Sequence, residues 1–285
     1  MKQRVITGIT GAVFALTVLG FMHTPAMGII VAAVAALASY EIQHVAKIQN
    51  KLLMGINIAL AAFMTFAFEY SLFSRLPFPS YVLAIFYVIL MMLIMLGSYQ
   101  KTKFEDVVMS MFCGVIVPFD FSTMMLVRNL CRSRPDLFQQ SQIFFIIFAG
   151  LLCAWLNDTF AFFVGRKFGK HKLAPNISPK KSVEGAIGGI VITTLFCLAF
   201  FFIFDYFFFK NDTIKWWMVL PSAIILCTVS ICGDLSASVI KRNFGEKDFG
   251  TIFPGHGGIM DRFDSYSFVM PVLYAGLKIV LSLGA

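Results

Sequence analysis

The chain has 285 residues, of which 59% are hydrophobic and only 13% carry a charge. Soluble domains carry about 25% charged residues, so this composition excludes an ordinary water-soluble protein and predicts an all-α, polytopic integral membrane protein. The formal net charge of +8 is interpreted as the positive charge of loops on one side of a membrane, and no nucleic-acid partner is expected.

The apolar stretches in the sequence predict about nine transmembrane helices, because each crossing takes on the order of 20 residues. In chain order they lie at 5–22, 26–45, 52–73, 81–96, 107–127, 143–164, 183–208, 216–236 and 265–283. The first stretch has no small-residue cleavage site after it, so it is interpreted as a retained helix rather than a signal peptide.

The loops between these helices predict the orientation of the chain. Sixteen lysines and arginines fall on the face shared with the N-terminus and six on the opposite face. This excess places the N-terminus in the cytoplasm and the C-terminus outside. The prediction depends on the loops after the sixth and eighth helices, since without them the count is six against six.

A basic loop follows the sixth predicted helix. Ser178 and Pro179 are typical of the cap and the first position of a helix, so we predict a helix that begins there. Lys180 and Lys181 would then flank a helix N-terminus, whose free N–H groups favour a phosphate. The alternative is an ordinary basic loop that anchors lipid headgroups.

Two further features flank this loop. Asn157 and Asp158 precede it and are interpreted either as an acidic contribution to a site or as partners that orient Arg166. Gly185 and Gly189 are four residues apart, a spacing that favours close approach of two helices.

Acidic residues also lie inside or at the ends of apolar segments, where facing lipid would be costly. They are Asp120, Asp158 and Asp234, and each needs a partner, a cavity or a function. Asp234, Ser238 and Lys241 repeat at i, i+4 and i+7 and therefore share one face of a helix.

A second pair of acids, Asp261 and Asp264, shares a face if the ninth helix begins there. We expect Asp234 and Asp261 to converge on one cation from neighbouring helices. Oxygen ligands beside phosphates favour magnesium over zinc. The alternative is a structural ion pair of Asp261 with Lys241 or Arg242.

A single histidine, His256, lies among glycines between the eighth and ninth predicted helices. It could act as a base, donate to a phosphate or pack within the loop. We favour phosphate or substrate positioning, because Gly257 and Gly258 would bring backbone N–H groups close to the same anion.

The region between the last two predicted helices resembles the signature of phosphatidate cytidylyltransferases, also called CDP-diglyceride synthetases. The matching positions are Ser238, Ile240, Lys241, Arg242, Lys247, Asp248, Gly250 and the run FPGHGGIMDRFD that ends at Asp264. The segment from Ser178 to Gly185, and Asn157-Asp158 followed by Gly165-Arg166, also resemble this family.

The resemblance implies a reaction in phospholipid biosynthesis, in which CTP and phosphatidic acid give CDP-diacylglycerol and pyrophosphate. It also implies a helical homodimer among membrane lipids, in a bacterial plasma (inner) membrane, with its active site facing the cytoplasm. Asp234 and Asp261 match positions regarded as metal ligands, Asp264 is a third candidate ligand for Mg²⁺, and a monovalent cation such as K⁺ is expected beside it.

On this basis we assign roles to the candidate residues. The catalytic candidates are Lys241, Arg242, Lys247, Asp248, His256 and Arg262. The substrate-binding candidates are Asn157, Asp158, Arg166, Ser178, Lys180, Lys181, Glu184, Ser238, Gly257 and Gly258. Residues 1–140 are assigned to N-terminal transmembrane helices and residues 141–285 to a C-terminal catalytic transmembrane region with cytoplasmic loops.

Two alternatives remain open at this point. One is a CTP-dependent enzyme that acts on another lipid phosphate or on a lipid alcohol. The other is an ion-coupled transporter, in which intramembrane acids bind cations near the middle of the bilayer. Acids clustered at one predicted membrane face beside a loop rich in Gly, Lys and Arg fit an enzyme better.

Overall fold

The computed structural model describes residues 20–211, 213–253 and 257–283, and these are predominantly helical. The helices are α1 (Ala26–Val45), α2 (Lys51–Glu69), α3 (Tyr81–Gly97), α4 (Phe104–Met111), α5 (Val117–Arg132), α6 (Gln140–Phe168), α7 (Val183–Phe208), α8 (Trp216–Asn243), α9 (Met260–Phe263) and α10 (Tyr266–Leu283). A 3-10 turn, Leu72–Arg75, follows α2, and a π-helical segment, Phe112–Ile116, joins α4 to α5. Two short strands, β1 (Lys172–Ala174) and β2 (Ser178–Ser182), lie between α6 and α7.

Six helical segments in these ranges are long and apolar enough to cross a bilayer. They are α1, α2, the continuous stretch Phe104–Arg132, α6, α7 and α8. The chain is therefore a largely helical, multi-pass membrane protein, as predicted. The count of nine is not confirmed, and the predicted helix at 5–22 lies mainly outside the described residues.

The chain divides into two compact units. The first contains the described residues of Met1–Met125 together with Phe244–Arg262. The second contains the described residues of Leu126–Asn243 and Phe263–Ala285. This is a division by packing, so the functional boundary at residue 140 stays a prediction. The residues before α9 belong to the same unit as the N-terminal helices. We call the described residues 249–253 and 257–260 the glycine-rich segment.

A single side chain joins two turns of the first unit. Asn50 caps α2, since its Oδ1 accepts the N–H groups of Leu52 and Leu53 at 3.1 Å. Its Nδ2 donates to Ser98 Oγ and to Thr102 Oγ1, each at 2.9 Å. A buried apolar cluster is formed by Ile48, Leu53, Met91 and Val107. The turn before α2 is thereby tied to the turn before α4.

In the second unit α6, α7, α8 and α10 pack against one another, and glycines set the spacing between α6 and α7. A Cβ atom at Gly185 would lie 2.7 Å from the carbonyl oxygen of Ala161 and 3.0 Å from the Cα of Gly165. A Cβ atom at Gly189 would lie 2.9 Å from the carbonyl oxygen of Asn157. The predicted close approach of helices at Gly185 and Gly189 is confirmed.

The start of α7 differs from the prediction. Ser178 and Pro179 lie in β2, which pairs with β1 in an antiparallel hairpin, so their backbone is extended rather than helical. The helix begins at Val183, and Ser182 caps it by accepting the N–H of Gly185 at 3.2 Å. The prediction of a helix starting at Ser178 is wrong because Pro179 is tolerated equally well in a strand with no partner on its other side.

We predict that Gly185→Ala lowers thermal stability, because two of the three atoms that its Cβ would meet, in Ala161 and Gly165, belong to backbone that cannot rotate away. The expected loss is about 1–3 kcal/mol, as for other overpacked sites. The control is Gly55→Ala in α2, where a Cβ meets nothing within 4 Å and alanine should be neutral or stabilising. Thermal unfolding of the purified variants in detergent measures both, and equal midpoints would contradict the prediction.

Candidate active site

The predicted site residues are divided between the two units. Those of the second unit are Asn157, Asp158, Arg166, Ser178, Lys180, Lys181, Glu184, Asp234, Ser238, Lys241, Arg242 and Asp264. Those of the first unit are Lys247, Asp248, Gly257, Gly258, Asp261 and Arg262. His256 lies outside the described residues, so its role stays a prediction.

An ion pair joins the hairpin to α8 in the second unit. Lys181 Nζ contacts Asp234 Oδ2, and the two side chains are only 24% and 20% exposed. Ser238, one helical turn after Asp234, donates from Oγ to Asp234 Oδ1 at 3.5 Å. A predicted phosphate-binding lysine is therefore held by a predicted metal ligand, and its ammonium group neutralises that carboxylate.

Two more acids lie close to this pair, linked through Ser265. Its Oγ donates to Asp158 Oδ2 at 3.1 Å, and its backbone N–H donates to Asp264 Oδ1 at 2.7 Å. Burial raises the pKa of Asp264 well above its ordinary value, the carboxylates of Asp234 and Asp158 raise it further, and the ammonium group of Lys241 lowers it. We call Asp158, Asp234 and Asp264 the acidic cluster.

Lys241 is the buried cation beside the acidic cluster. Its side chain lies on α8 two turns after Asp234 and is only 8% exposed. The bond between Ser238 and Asp234, together with the effect of Lys241 on Asp264, confirms that these positions face the same side of α8. A lysine buried this deeply needs nearby negative charge, which the acidic cluster supplies.

The acidic cluster has the donor chemistry that a hard divalent cation requires. Its candidate ligands are carboxylate oxygens. Burial is the main cause of the raised pKa of Asp264, and repulsion by Asp234 and Asp158 adds to it, so a cation would relieve that repulsion. Within the described ranges, no three His, Cys, Asp or Glu side chains are already arranged as a metal site. The residues therefore fit magnesium by chemistry, and Asp234 would have to exchange its lysine partner for the ion.

Glu184, at the start of α7, holds the chain that enters the hairpin. Its carboxylate accepts the backbone N–H of Lys170 at 3.0 Å and that of His171 at 3.2 Å. Its Oε1 also lies 2.6 Å from His171 Nδ1. Glu184 was predicted to bind substrate. In the structure it fixes the chain before β1, at the entry to the hairpin whose second strand carries Lys180 and Lys181.

The remaining predicted residues of this unit differ in exposure. Arg166, Lys180 and Arg242 are exposed, so their charges are accessible to an anion. Asn157 is fully buried and donates from Nδ2 to the carbonyl oxygen of Cys227 at 3.0 Å, joining α6 to α8. Asn157 therefore contributes to helix packing rather than to an accessible surface.

In the first unit, Asp261 shapes the glycine-rich segment. Its Oδ2 accepts the backbone N–H of Phe249 at 2.7 Å and that of Gly258 at 2.9 Å. Phe253 also donates its N–H to the carbonyl oxygen of Gly257 at 2.9 Å. Asp261 is only 9% exposed, so part of its hydrogen-bonding capacity is used inside the protein, and its role as a metal ligand stays a prediction.

The expected use of the glycine N–H groups needs a correction. Gly258 was expected to present its N–H to a phosphate, but that N–H donates to Asp261. Asp261 is a charged acceptor only three residues away, so it takes up this N–H group within the turn itself. Among the described residues of this segment and its flanks, the exposed side chains of Lys247 and Arg262 carry positive charge that can reach an anion, whereas the exposed Asp248 is acidic.

One residue of this region was missed from the sequence. Glu41 lies in α1, is 2% exposed, and accepts the N–H groups of Ile259 and Met260 at 2.9 Å each. The available signal was an acid inside an apolar helix, the same signal that singled out Asp120. The contact joins residues that are 218 and 219 positions apart, so no short-range spacing pattern in the sequence could indicate it.

Comparison with known proteins finds similar sequences over nearly the whole chain. A family model described as "Cytidylyltransferase family" matches residues 2–280. The phosphatidate cytidylyltransferase of Bacillus subtilis (strain 168) is 32% identical over 275 residues, which is 96% of each chain.

Shorter matches have higher identity. The phosphatidate cytidylyltransferase of Staphylococcus saprophyticus is 47% identical over 129 residues, which cover 45% of this chain and 47% of that protein. That of Staphylococcus aureus (strain COL) is 45% identical over 129 residues, with the same coverage. The chain is thus similar to the Bacillus subtilis enzyme along nearly its whole length and to the staphylococcal enzymes over a shorter region.

The geometry of the hairpin predicts that Lys181→Ala destabilises the protein, because it leaves Asp234 beside other carboxylates without its cation. The expected loss is about 1–3 kcal/mol, the cost of a partly buried polar group whose partner is removed. Lys180→Ala, at the neighbouring and exposed position of β2, is the matched control and should change stability by less than about 0.5 kcal/mol. Thermal unfolding in magnesium-free detergent solution compares them, and an equal effect of both would refute the importance of the pair.

Proposed function

The chain belongs to the cytidylyltransferase family, and from this membership we infer that it transfers a cytidylyl group from CTP to phosphatidate. The products are CDP-diacylglycerol and pyrophosphate. The chain is thus an enzyme, a nucleotidyltransferase of phospholipid biosynthesis. The observation that carries this function is the match to a phosphatidate cytidylyltransferase across 96% of both chains.

The reaction requires the protein to hold two polyanions together. An oxygen of the phosphatidate phosphate forms a bond to the α-phosphorus of CTP, and the bond from that phosphorus to the pyrophosphate oxygen breaks. The attacking phosphate is already largely ionised near neutral pH, so little general-base catalysis is needed. Alignment of the reactants and neutralisation of the leaving pyrophosphate must supply most of the rate.

We propose that the acidic cluster binds Mg²⁺, with Asp234 and Asp264 as ligands, Asp158 beside them and Asp261 as a further candidate. Bound there, the ion would neutralise phosphate oxygens. The support is the all-oxygen donor set and the contacts that bring these acids together, through Ser265 for Asp158 and Asp264 and through α8 for Asp234. In this proposal Lys181 leaves Asp234 when the cluster is loaded, and its ammonium group becomes available to a phosphate.

The basic residues divide into two groups in this proposal. Lys241 is buried beside the acidic cluster, where it limits the repulsion between carboxylates. The exposed cations bind the phosphates of the two substrates. They are Arg166, Lys180, Arg242, Lys247 and Arg262.

The wider setting is also a proposal. We propose nine membrane-spanning helices in the bacterial inner membrane, with the catalytic loops in the cytoplasm, because both chemically rich loops carry the positive charge that favours that side. A homodimer and a monovalent cation such as K⁺ beside the magnesium follow from the family resemblance. The site must open laterally to the bilayer, since phosphatidate stays in the membrane.

We predict that the purified protein, given CTP, phosphatidate and Mg²⁺, releases pyrophosphate, and that Asp234→Asn abolishes most of this activity because a neutral amide binds magnesium poorly. Asp136→Asn, which changes an exposed acid next to Arg134, is the control and should keep near-normal turnover. Pyrophosphate release measured with a panel of lipid phosphates and lipid alcohols tests both.

Different results of this assay have different meanings. Activity with a different lipid acceptor alone would replace phosphatidate as the substrate. The absence of CTP-dependent pyrophosphate release, combined with cation uptake into vesicles, would favour a transporter. Near-normal turnover of Asp234→Asn at ordinary magnesium would remove Asp234 from the metal site.

The orientation predicts the reactivity of single cysteines placed on a cysteine-free background. Cysteines at Lys172 and Gly245 should react with reagents confined to the cytoplasm, and a cysteine at Asn211 only with reagents applied from outside. Labelling of oriented vesicles with a membrane-impermeant maleimide measures this. Labelling of positions 172 and 245 from opposite sides would contradict the proposed cytoplasmic placement of both loops.

A further inference from the structure

A carboxylate from α1 is committed to the glycine-rich segment of the first unit. Glu41 is 2% exposed and lies in a helix that is apolar enough to cross a membrane. Its Oε1 accepts the N–H of Ile259 and its Oε2 accepts the N–H of Met260, both at 2.9 Å. Both oxygens of the acid therefore bind consecutive backbone groups at the start of α9, in a bidentate arrangement.

A second carboxylate binds the neighbouring part of the same segment. Asp261 Oδ2 accepts the N–H groups of Phe249 and Gly258. Four backbone N–H groups between residues 249 and 260 thus bind two carboxylates. Since each such bond is charge-assisted, the pair defines the path of the segment more strongly than ordinary turn contacts would.

The glycines of the signature fit around these two acids. A Cβ atom at Gly250 or at Gly258 would overlap the carboxylate of Glu41. Gly257 has a φ of +82°, and its Cβ would lie 2.6 Å from Asp261 Oδ2. The absence of a side chain at these three positions therefore leaves room for acid side chains. Gly250 and Gly258 make room for Glu41, and Gly257 makes room for Asp261.

We propose that Glu41 is a positioning residue for the transfer reaction, which holds the described residues 249–253 and 257–260 in the conformation that the reaction needs. This inference rests on the proposed function. Lys247 and Arg262 flank that segment on its two sides, so its path decides where these two cations can meet the phosphates. Glu41 acts through them and touches no substrate itself.

The direct test is Glu41→Gln. An amide offers one acceptor oxygen and places an N–H donor against the second backbone N–H, so one hydrogen bond is replaced by a repulsive contact. Hydrogen exchange of the 249–261 amides should accelerate about tenfold or more, the effect of losing one charge-assisted bond. The kcat should fall by up to about 100-fold, as for a displaced catalytic group, with a smaller change in the KM for CTP.

The matched control is Glu105→Gln. Glu105 lies in the first turn of α4 in the same unit and is exposed, so the same chemical change should leave both the exchange pattern and turnover unaltered. Peptides from α6, α7 and α8 serve as internal references for exchange in every variant.

A double-variant cycle tests the fit between Glu41 and Gly258. Gly258→Ala should reduce kcat because its Cβ overlaps the Glu41 carboxylate, and Glu41→Asp should reduce it because the acid is one methylene shorter. The shorter acid leaves room for the added methyl group, so the double variant should be more active than the product of the two single effects predicts. Strict multiplication of the effects would show that the two residues act independently.

The exchange measurement separates this inference from the proposed function. If the protein transfers no cytidylyl group, the proposed function fails, while faster exchange confined to 249–261 in Glu41→Gln still supports the role of Glu41 in ordering the segment. Unchanged exchange of that segment would overturn the inference. Faster exchange throughout the chain in both Glu41→Gln and Glu41→Asp would also overturn it, because Glu41 would then be a general structural residue.

Discussion

A carboxylate buried among apolar helices needs a cation or several hydrogen-bond donors, because an uncompensated buried charge is too costly to keep. This requirement determines where the functional parts of the protein lie. Glu41 and Asp261 are satisfied by the backbone of the glycine-rich segment. Asp234 is satisfied by Lys181, and Asp158 receives a hydroxyl bond from Ser265. Each acid thereby orders the loop or helix end that supplies its partner.

The two ways of satisfying an acid have different chemical consequences. Backbone donors cannot be withdrawn without refolding the segment, so Glu41 gives a permanent arrangement. A lysine on a two-stranded hairpin can move away by rotating its side chain, so Lys181 gives an arrangement that a metal ion and phosphates can replace. In the proposed function, the protein thus combines a fixed loop with an acidic cluster in which a metal ion would replace the lysine, a combination suited to binding charged substrates and releasing charged products.

The helices were largely predictable and the contacts of the site were not. Apolar length alone placed 26–45 and 183–208 with the same bounds as α1 and α7, and the i, i+4 glycines correctly indicated close packing. The extended Ser178 was missed because serine and proline suit either a helix start or an unpaired strand edge. Glu41 was missed because its partners follow it by 218 residues, and periodicity carries no information at that range. The acids of the cluster could be predicted from the sequence because acidic residues in or beside apolar segments are unusual. The pairing of Lys181 with Asp234 could be seen only in the structure.

The long separation between Glu41 and Ile259 has a consequence for how the protein is made. The helix that carries Glu41 is synthesised before the backbone groups that it binds, which follow it by 218 and 219 residues. Throughout that interval the acid must be satisfied by water, by lipid headgroups or by other parts of the nascent chain. Because the entropic cost of closing a loop rises only slowly with its length, the contact can still form at this separation. The hydrogen bonds of Glu41 to this segment therefore form late, and a nascent chain that stops before Ile259 lacks the backbone groups that Glu41 binds.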